Sequence, residues 1–329
     1  MRRRELLKSG LAAGGVMMAD RWLPAVAGAT RSRVALVKAE DRRAGIRRAL
    51  ALLGAGELAK KHVVVKPNFN SADPFPGSTH PDTLDALVEW LGEAGAGRVT
   101  VADRSGMGQT REVMEAKAVF AHGKKRGFAP VVLDELAARD WVAHRLPGSH
   151  WRQGVLFPRL LEEAEAIVST CCLKTHRFGG HITLSLKNSV GAVAKYGPDG
   201  YNYMSELHGS PAQRKMIAEI NLLYRPAVVL LDGLEAFTDG GPESGRKVAP
   251  GVLVAGTDRV AVDAVGVAIL RLFGTTAVVS RGRIFEQEQL ARAAELGVGV
   301  SAPEQIELVT DDLAGEAFLA RVRPILLPA

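Results

Sequence analysis

The chain is poor in cysteine, in aromatic side chains and in long apolar runs, and the first of these absences excludes several classes of protein. Its only cysteines, Cys171 and Cys172, are adjacent in a sequence of 329 residues. The chain by itself therefore holds neither a Cys-ligated iron–sulfur cluster nor a Cys-only zinc site, each of which needs four thiolates. Because neighbouring residues of a strand point to opposite faces, we expect two small buried side chains; a vicinal disulfide or a soft metal contact is the alternative.

Basic residues form no long run, and the four tyrosines are not interleaved with them. The formal net charge is +6, but residues 1–29 contain five basic and two acidic side chains, so half of this charge belongs to the first segment. A nucleic-acid-binding surface is therefore not indicated. Neither a G-x-S-x-G elbow nor a phosphate-binding P-loop occurs, which removes two common signatures of enzymes with parallel sheets.

Residues 1–29 have the features of a targeting signal rather than of a folded element. Arg3 and Arg4 begin a twin-arginine pattern, Arg-Arg-Glu-Leu-Leu-Lys, and a short Gly/Ala-rich apolar run follows at residues 11–19. Small residues allow cleavage after Ala27 or Ala29. Because the run is too short for a stable membrane span, we expect a periplasmic or extracytoplasmic protein that meets the twin-arginine translocase during export. An unstructured basic N-terminus is the alternative.

Short apolar segments alternate with amphipathic helical segments along the rest of the chain. Residues 62–65 predict a buried β-branched strand, for example, and the apolar spacing after Pro81 predicts a helix. This alternation is typical of an α/β fold in three layers, a mostly parallel sheet with helices on both faces. We expect a single domain over residues 30–329, with an irregular insertion at about 134–158 and a flexible excursion at about 195–211.

Polar side chains follow four of the predicted strands where each strand ends. The four segments are Lys66-Pro67-Asn68, Asp103-Arg104-Ser105-Gly106, Lys174-Thr175-His176 and Asp232-Gly233. In open α/β sheets ligands bind outside the carboxyl ends of the strands, so we expect these segments to meet at one edge. Aspartate is also an ordinary turn residue, whereas lysine has no special role in turns. The two lysines therefore favour a binding site, with a mobile loop over residues 235–242 beside it.

Residues 181–188 alternate like a strand, yet a helix could begin at Ser185. Thr183 and Lys187 are four residues apart and share a face under either period, with leucines packed on the opposite side. Together with Lys174 and His176 they predict a donor-rich pocket that suits a small anion: a carboxylate, a phosphate or a developing enolate. A helix beginning at Ser185 would add its free N–H groups to this pocket.

A metal site is the competing interpretation of the same region. His176 and His181 flank a Phe-Gly-Gly turn, and His80 follows a second loop near the same predicted edge. Two or three imidazoles with a carboxylate such as Asp103 or Asp232 form a common ligand set for zinc, nickel or iron. The spacing of these histidines is not diagnostic, so the anion site and the metal site both stay open.

Four segments together resemble the family catalogued as domain of unknown function 362. They are Lys66–Asn68, Thr79–Pro81, Lys174–His176 and Thr183–Gly191, and the resemblance covers about residues 60–270. Members of this family are often described as iron–sulfur-associated proteins, and this chain lacks the cysteines for such a cluster. A more remote resemblance to the N-terminal domain of nickel-dependent lactate racemases implies an α/β domain whose lysine and histidines hold an organic nickel cofactor.

We therefore expect an exported enzyme that binds a small anionic substrate, with or without a metal or organometallic cofactor. The expected catalytic residues are His176, Lys174 and Lys187; the expected substrate-binding residues are Lys66, Asn68, Thr79, Thr183, Asn188, Asp103 and Asp232; the expected metal ligands are His176, His181 and His80. The alternative is a non-catalytic periplasmic binding protein, or an accessory protein of a redox complex, that uses the same pocket.

Replacing Arg3 and Arg4 by lysine keeps the charge of the first segment but removes its twin-arginine pattern. We expect this variant to stay in the cytoplasm, because the translocase recognises the arginine pair rather than the net charge. Cell fractionation followed by immunoblotting measures the distribution. The control variant Arg21→Lys lies outside the pattern and should be exported normally. Normal periplasmic accumulation of the double variant would contradict the predicted export route.

Overall fold

Strands and helices alternate throughout the part of the chain that the computed structural model describes, residues 31–54 and 56–327. The strands are β1 Ser32–Lys38, β2 His62–Lys66, β3 Arg98–Asp103, β4 Ala129–Val132, β5 Trp141–His144, β6 Val155–Pro158, β7 Ala166–His176, β8 His181–Thr183, β9 Val228–Gly240, β10 Gly245–Val248, β11 Val252–Gly256 and β12 Ile306–Val309. The helices are α1 Arg42–Leu53, α2 Pro81–Glu93, α3 Thr110–Ala116, α4 Val119–Arg126, α5 Arg159–Glu162, α6 Ser185–Asn188, α7 Tyr203–Gly209, α8 Gln213–Ile220, α9 Arg259–Leu272, α10 Ala277–Ser280, α11 Glu288–Glu295 and α12 Leu313–Leu326.

Local sequence explains several of these boundaries. The Asp41 carboxylate accepts a hydrogen bond from an amide in the first turn of α1, and Gly54 ends that helix with a φ of 59°. The Asp258 carboxylate accepts from the amides of Val260 and Ala261 at the start of α9. Such caps satisfy amides that have no partner within the helix, and glycine adopts a positive φ without steric cost.

The main sheet follows the strand order β12-β1-β11-β9-β7-β2-β3-β4. Strands β9, β7, β2, β3 and β4 are mutually parallel, as are β1 and β12. Strand β11 is antiparallel to both of its neighbours, and β8 and β10 extend the sheet as hairpin partners of β7 and β9. The predicted mostly parallel sheet is therefore confirmed, and the carboxyl ends of β2, β3 and β7 lie at one edge.

Helices cover both faces of this sheet, which confirms the predicted three-layer α/β architecture. On one face, α1 to α4 pack against apolar side chains such as Val63 and Val65. On the other face, α8, α9, α11 and α12 join the core that includes Leu36, Cys171 and Leu231. Strand side chains alternate between the faces, so each strand contributes to both cores.

Both cysteines are free and almost completely buried in β7. Cys171 belongs to the apolar core beneath α9, and burial raises the pKa of Cys172 to about 11. A buried thiol with a raised pKa is an inert packing group rather than a nucleophile or a metal ligand. The two thiols therefore have the environment expected for small core side chains.

Two predicted loops are ordered secondary structure. Strand β9 continues past Asp232 to Gly240 and pairs with β10, so residues 235–242 form a hairpin rather than a loop. The excursion at residues 195–211 contains helix α7, whose first turn is capped by the Asn202 side chain.

Between residues 134 and 158, where an irregular insertion is predicted, β5 and β6 form a separate two-stranded sheet. The buried Trp151 indole beside it donates a hydrogen bond of 3.1 Å to Met216 O.

The predicted twin-arginine signal, residues 1–29, lies outside the described residues. Within the described part of the chain, no helix combines the length and the apolar character needed to cross a bilayer.

Helix α6 begins at Ser185, but its first amides do not face a pocket. The amides of Ser185 and Leu186 donate hydrogen bonds of 2.7 Å and 2.9 Å to the carboxylate of Asp263 in α9. Burial raises the pKa of Asp263 to about 7, and the two amides oppose this shift. The expectation that these N–H groups contribute to anion binding is therefore wrong, because α9 already satisfies them. Asp263 instead fixes α6 against the core.

Asp263→Asn tests how strongly α6 depends on this contact. An asparagine offers one acceptor oxygen in place of two, so one buried amide loses its partner. We expect the free energy of unfolding to fall by about 1–3 kcal/mol, measured by urea denaturation at pH 4. Near that pH the raised pKa of Asp263 costs the wild type almost nothing, whereas between pH 4 and about pH 7 the wild type alone loses stability as the unfolded-state carboxyl ionises. Asp140→Asn is the matched control because that carboxylate is 4.0 Å from the exposed Arg139. Equal stability of the two variants would show that the α6 contact is dispensable.

Candidate functional site

A cavity of about 600 Å³ opens at the carboxyl edge of the parallel strands. Its walls come from the ends of β2 and β3, the β7–β8 hairpin, and helices α6 and α7. The predicted site residues that line it are Lys66, Asn68, Asp103, His176, Thr183, Lys187 and Asn188. The volume falls in the range of small-molecule pockets, roughly 300–1,000 Å³.

Lys66 and Asp103 form a buried ion pair at the back of this cavity. Lys66 Nζ lies 2.5 Å from Asp103 Oδ1, and both side chains are almost completely buried. The carboxylate also accepts hydrogen bonds from the amides of Phe69 and Arg104 at 2.6 Å and 2.8 Å. Burial raises the pKa of the Asp103 carboxyl, while Lys66 and the two amides oppose that shift. The Asp103 carboxylate is therefore already bound to Lys66 and to two amides, and the ion pair holds the ends of β2 and β3 in position.

Two amide side chains connect the ion pair to α6. Asn188 Oδ1 accepts hydrogen bonds from Lys66 Nζ at 3.4 Å and from Asn68 Nδ2 at 3.3 Å. Asn188 Nδ2 donates to Lys66 O and to Thr170 O of the neighbouring strand. Thr79 lies behind the cavity wall, where its hydroxyl accepts from the Asn68 amide at 2.8 Å. Asn188 and Thr79 therefore hold the site together, and Asn68 faces the cavity.

Lys187 is the cation that the cavity leaves without a counter-charge. Its side chain lines the cavity, and among the described residues its ammonium has neither an ion pair nor a hydrogen bond. Burial, together with the positive charges of Lys174 and Arg104, lowers the pKa of Lys187 to about 7. The Lys187 ammonium therefore releases its proton at a much lower pH than an exposed lysine does.

Several polar atoms around Lys187 are buried without a partner. They are His176 Nδ1, Thr183 Oγ1, Asn68 Oδ1 and Asn70 Nδ2, all from residues that line the cavity. Burial, followed by the charges of Lys187 and Lys174, holds the pKa of His176 far below its usual range, so its ring is neutral. Buried polar atoms normally have a hydrogen-bond partner, so this cluster indicates a place for water or for a polar ligand.

Lys174 does not reach the cavity, although the sequence places it beside the other candidates. Its fully buried ammonium donates hydrogen bonds to Gly77 O at 2.5 Å and to Pro242 O at 3.1 Å. It therefore joins the loop after β2 to the β9–β10 turn, just behind the cavity wall. Its charge still lowers the pKa values of His176 and Lys187.

His80 and Asp232 lie on the sheet face that carries α1 to α4, away from the cavity. The Asp232 carboxylate pairs with Arg42 at 2.8 Å and accepts from the Thr83 hydroxyl at 2.6 Å. His80 Nδ1 accepts the Asp82 amide at the start of α2. The prediction that Asp232 ends a strand at the site is wrong, because β9 continues for eight more residues to Gly240.

The predicted metal ligands therefore do not converge. His181 pairs with His176 across the β7–β8 hairpin but does not line the cavity, and His80 serves as a helix cap elsewhere. Among the described residues, no group of three or more His, Cys, Asp or Glu side chains is arranged to hold a metal ion. The set of His80, His176 and His181 does not fit the ligand sphere of a metal, and we derive no step through one.

Arg104 and His208 are among the cavity residues that the sequence interpretation missed. Arg104 is fully buried, and its guanidinium donates to Val193 O at 2.8 Å and to Ser105 O at 3.2 Å. Arg104 is a second cation in the cavity lining without an acidic partner among the described residues. Its position next to Asp103, at the end of a predicted strand, was the signal in the sequence that it lies near the site. His208 lies in α7, where Nδ1 is 2.8 Å from Met204 O and so carries the proton. Nothing in its local sequence distinguished it from a solvated histidine.

The model of the family described as "Domain of unknown function (DUF362)" matches residues 63–268, well over half of the chain and all of the cavity-lining segments. The chain belongs to the DUF362 family. No curated protein sequence gives a significant match to it.

Two solved structures match part of this DUF362 protein at low sequence identity. The lactate racemase apoprotein from Thermoanaerobacterium thermosaccharolyticum is 17% identical with a TM-score of 0.41, and the match covers 61% of this chain and 50% of the racemase. A crystal structure of a Thermotoga maritima protein is 15% identical with a TM-score of 0.45, and the match covers 83% of this chain and 60% of that protein. The DUF362 chain thus spans about half to three fifths of these relatives.

Gly191→Ala tests the packing around the ion pair. A Cβ at this position would lie 2.7 Å from Asp103 Oδ1, 2.8 Å from Lys66 Nζ and 3.0 Å from Arg104 O. Because those atoms are held by other bonds, we expect the free energy of unfolding to fall by about 1–3 kcal/mol, measured by chemical denaturation. In the control Gly92→Ala, the new Cβ meets nothing within 4 Å in helix α2. That variant should gain about 0.5–1 kcal/mol, and a similar gain for Gly191→Ala would contradict the packing.

Proposed function

We propose that this DUF362 protein is an enzyme that binds a small anionic substrate in the cavity, with Lys187 as its principal anion ligand. The observation that carries the proposal is the Lys187 ammonium, which lines the cavity without a carboxylate partner. Lysine is almost never buried unless it is paired, because the charge loses its hydration. A negatively charged ligand supplies the missing counter-charge.

The charges around the cavity support an anion rather than a cation. Lys187 and Arg104 line it without an acid partner among the described residues, and Lys174 lies behind the wall. The one carboxylate in the lining, Asp103, is occupied by Lys66 and two amides. A low-dielectric pocket with an excess of positive charge attracts anions and binds them more strongly than water-exposed lysines do.

His176 is the residue suited to proton transfer on a bound substrate. Its ring is neutral and Nδ1 has no partner, so in the tautomer protonated at Nε2 this nitrogen accepts a proton or a hydrogen bond. A bound anion would offset the charges of Lys187 and Lys174 and so raise the pKa of His176 toward the range useful for general base catalysis. Thr183 Oγ1 and Asn68 Oδ1 would orient the substrate, because both are buried without partners. Lys66, Asn188 and Thr79 act as positioning residues.

The same cavity in a non-catalytic periplasmic binding protein would hold its ligand without using His176. Native mass spectrometry of the exported protein distinguishes the enzyme from the binding protein. A ligand that stays bound in a 1:1 ratio and keeps its mass during incubation favours the binding protein. Export itself is part of the proposal, and its support is the Arg3–Arg4 pattern with the short apolar run that follows. The proposal contains no metal or organometallic group, because His80 lies away from the paired His176 and His181 and the three predicted ligands do not form one site.

Anion binding should weaken as the pH rises through the pKa of Lys187. This pKa is lowered to about 7 in the free protein, and only the protonated lysine attracts an anion. The affinity should therefore be constant below about pH 6 and fall by about tenfold for each unit above about pH 7. Acetate and sulfate are suitable probes because neither titrates in this range, and NMR titration at pH 6, 7, 8 and 9 measures their dissociation constants.

Matched variants identify the lysine responsible. Lys187→Arg keeps a positive charge at every pH used and should bind with little pH dependence. Lys187→Met should lose binding, while Lys124→Met, at an exposed residue of α4 outside the cavity, should behave like the wild type. Wild-type affinity for both probes in Lys187→Met would overturn the pocket assignment.

A further inference from the structure

The cavity is much larger than a simple anion. Acetate or sulfate would fill roughly 100 Å³, taking about 30 Å³ for each water-sized group. The volume of the cavity is about 600 Å³. Most of this space therefore lies beyond the reach of the Lys187 ammonium and belongs to another part of the ligand.

The mouth of the cavity has a different chemistry from its interior. Met107, Phe178 and Tyr196 line it with exposed fractions of 38%, 48% and 62%. The structure has six exposed large hydrophobic side chains among its described residues, so half of them meet at this one opening. They come from three separate segments: the β3–α3 loop, the β7–β8 turn and the chain before α7. Such clustering of exposed apolar side chains marks a binding surface.

The apolar mouth is held in place rather than loosely arranged. The Arg177 guanidinium stacks over the Phe178 ring at 4.3 Å from its centroid, and it also pairs with Glu243. Met107 N donates to Asn70 O at 2.8 Å, and Tyr196 forms a β-bridge with Asn202. A fixed apolar surface gains more from contact with a ligand, because less conformational entropy is lost on binding.

The polar and apolar parts of the cavity are in direct contact. The Phe178 ring packs edge-on against the His176 ring, with 5.8 Å between their centroids. His176 in turn lies beside Lys187, because both crowd the position where Gly180 would carry a Cβ. A ligand whose charged group reaches Lys187 therefore places its next few carbon atoms against Phe178.

We propose that the ligand is an amphipathic anion, a carboxylate bearing an apolar group about as large as a phenyl ring or a six-carbon chain. Its carboxylate lies at Lys187 and its apolar group contacts Met107, Phe178 and Tyr196. This inference rests on the proposed anion site and adds the class of substrate. The mouth is concave and continuous with the anion site, which favours one ligand over a protein partner docked across the opening.

A series of straight-chain carboxylates tests this inference on the full chain. Acetate, butyrate and hexanoate carry the same charge and differ only in apolar length, and 3-phenylpropionate adds a ring. Each buried CH₂ should tighten binding by about threefold to fourfold. The dissociation constant at pH 6.5 should therefore fall at least about tenfold from acetate to hexanoate, allowing for partial burial. NMR titration or calorimetry measures it.

Variants at the mouth distinguish the contribution of the ligand's apolar group to binding from that of its carboxylate. Phe178→Ala and Tyr196→Ala should weaken hexanoate and 3-phenylpropionate by about fivefold or more, and leave acetate within about twofold. Val278→Ala is the matched control, because Val278 is also exposed but lies outside the cavity.

The failures of the two proposals are distinguishable. If acetate and hexanoate bind equally well and through Lys187, the amphipathic ligand is overturned and the anion site stands. The amphipathic ligand is also overturned, and the anion site again stands, if longer carboxylates bind more tightly but both mouth variants bind hexanoate like the wild type. The apolar contact would then lie elsewhere. If no carboxylate and no sulfate binds at all, the anion site itself fails.

Discussion

The buried ion pair of Lys66 and Asp103 fixes the geometry on which the cavity depends. Two charges that leave water at the ends of neighbouring strands lose several kcal/mol of hydration unless close partners replace it. Here the two groups lie 2.5 Å apart, and backbone amides supply the remaining bonds to the carboxylate. The pair thereby locks the segments that leave β2 and β3. Through Asn188 it also reaches α6, the helix that carries Lys187.

Much of this arrangement follows from the sequence, because strand ends in a parallel sheet have a defined location. Lys66 and Asp103 both end parallel strands, so their meeting could be predicted from the pattern of apolar and polar residues. Thr183 and Lys187 both line the cavity, as their spacing of four residues predicts, although Thr183 ends β8 and Lys187 belongs to α6. The three-layer fold followed from the alternation of apolar strands with amphipathic helices.

The remaining residues depended on facts that no local pattern contains. Asp232 was predicted at the end of a strand, but β9 continues beyond it because hydrogen bonds to β10 extend the strand. Lys174 was expected just beyond the end of a strand, but β7 continues to His176, and two carbonyl groups from distant loops accept hydrogen bonds from the Lys174 ammonium. His80 was expected near the edge that carries the site, but it caps α2 away from the cavity. Arg104 was overlooked because its place beside Asp103 indicates the edge of the sheet but not that its side chain is buried.

Helix α7 and the residues before it close one side of the cavity, and they rest on few contacts with the parallel strands. Tyr203 and Leu207 anchor α7 in the core that includes Met216 of α8. On its other side, α7 presents Met204 and His208 to the cavity. The family match covers this segment together with the strand ends, so the wall and the cationic interior form part of one matched region.

The unneutralised cations of the cavity also affect how the purified protein behaves in solution. Lys187, Arg104 and Lys174 repel one another in a medium of low dielectric constant. An anion at the proposed site would relieve this repulsion and bind only the folded chain, so the stability it adds would rise with the logarithm of its concentration once that exceeds the dissociation constant. On this proposal the melting temperature is a property of the protein and its buffer salt together. Variants of this protein are comparable only when their counter-ions are the same.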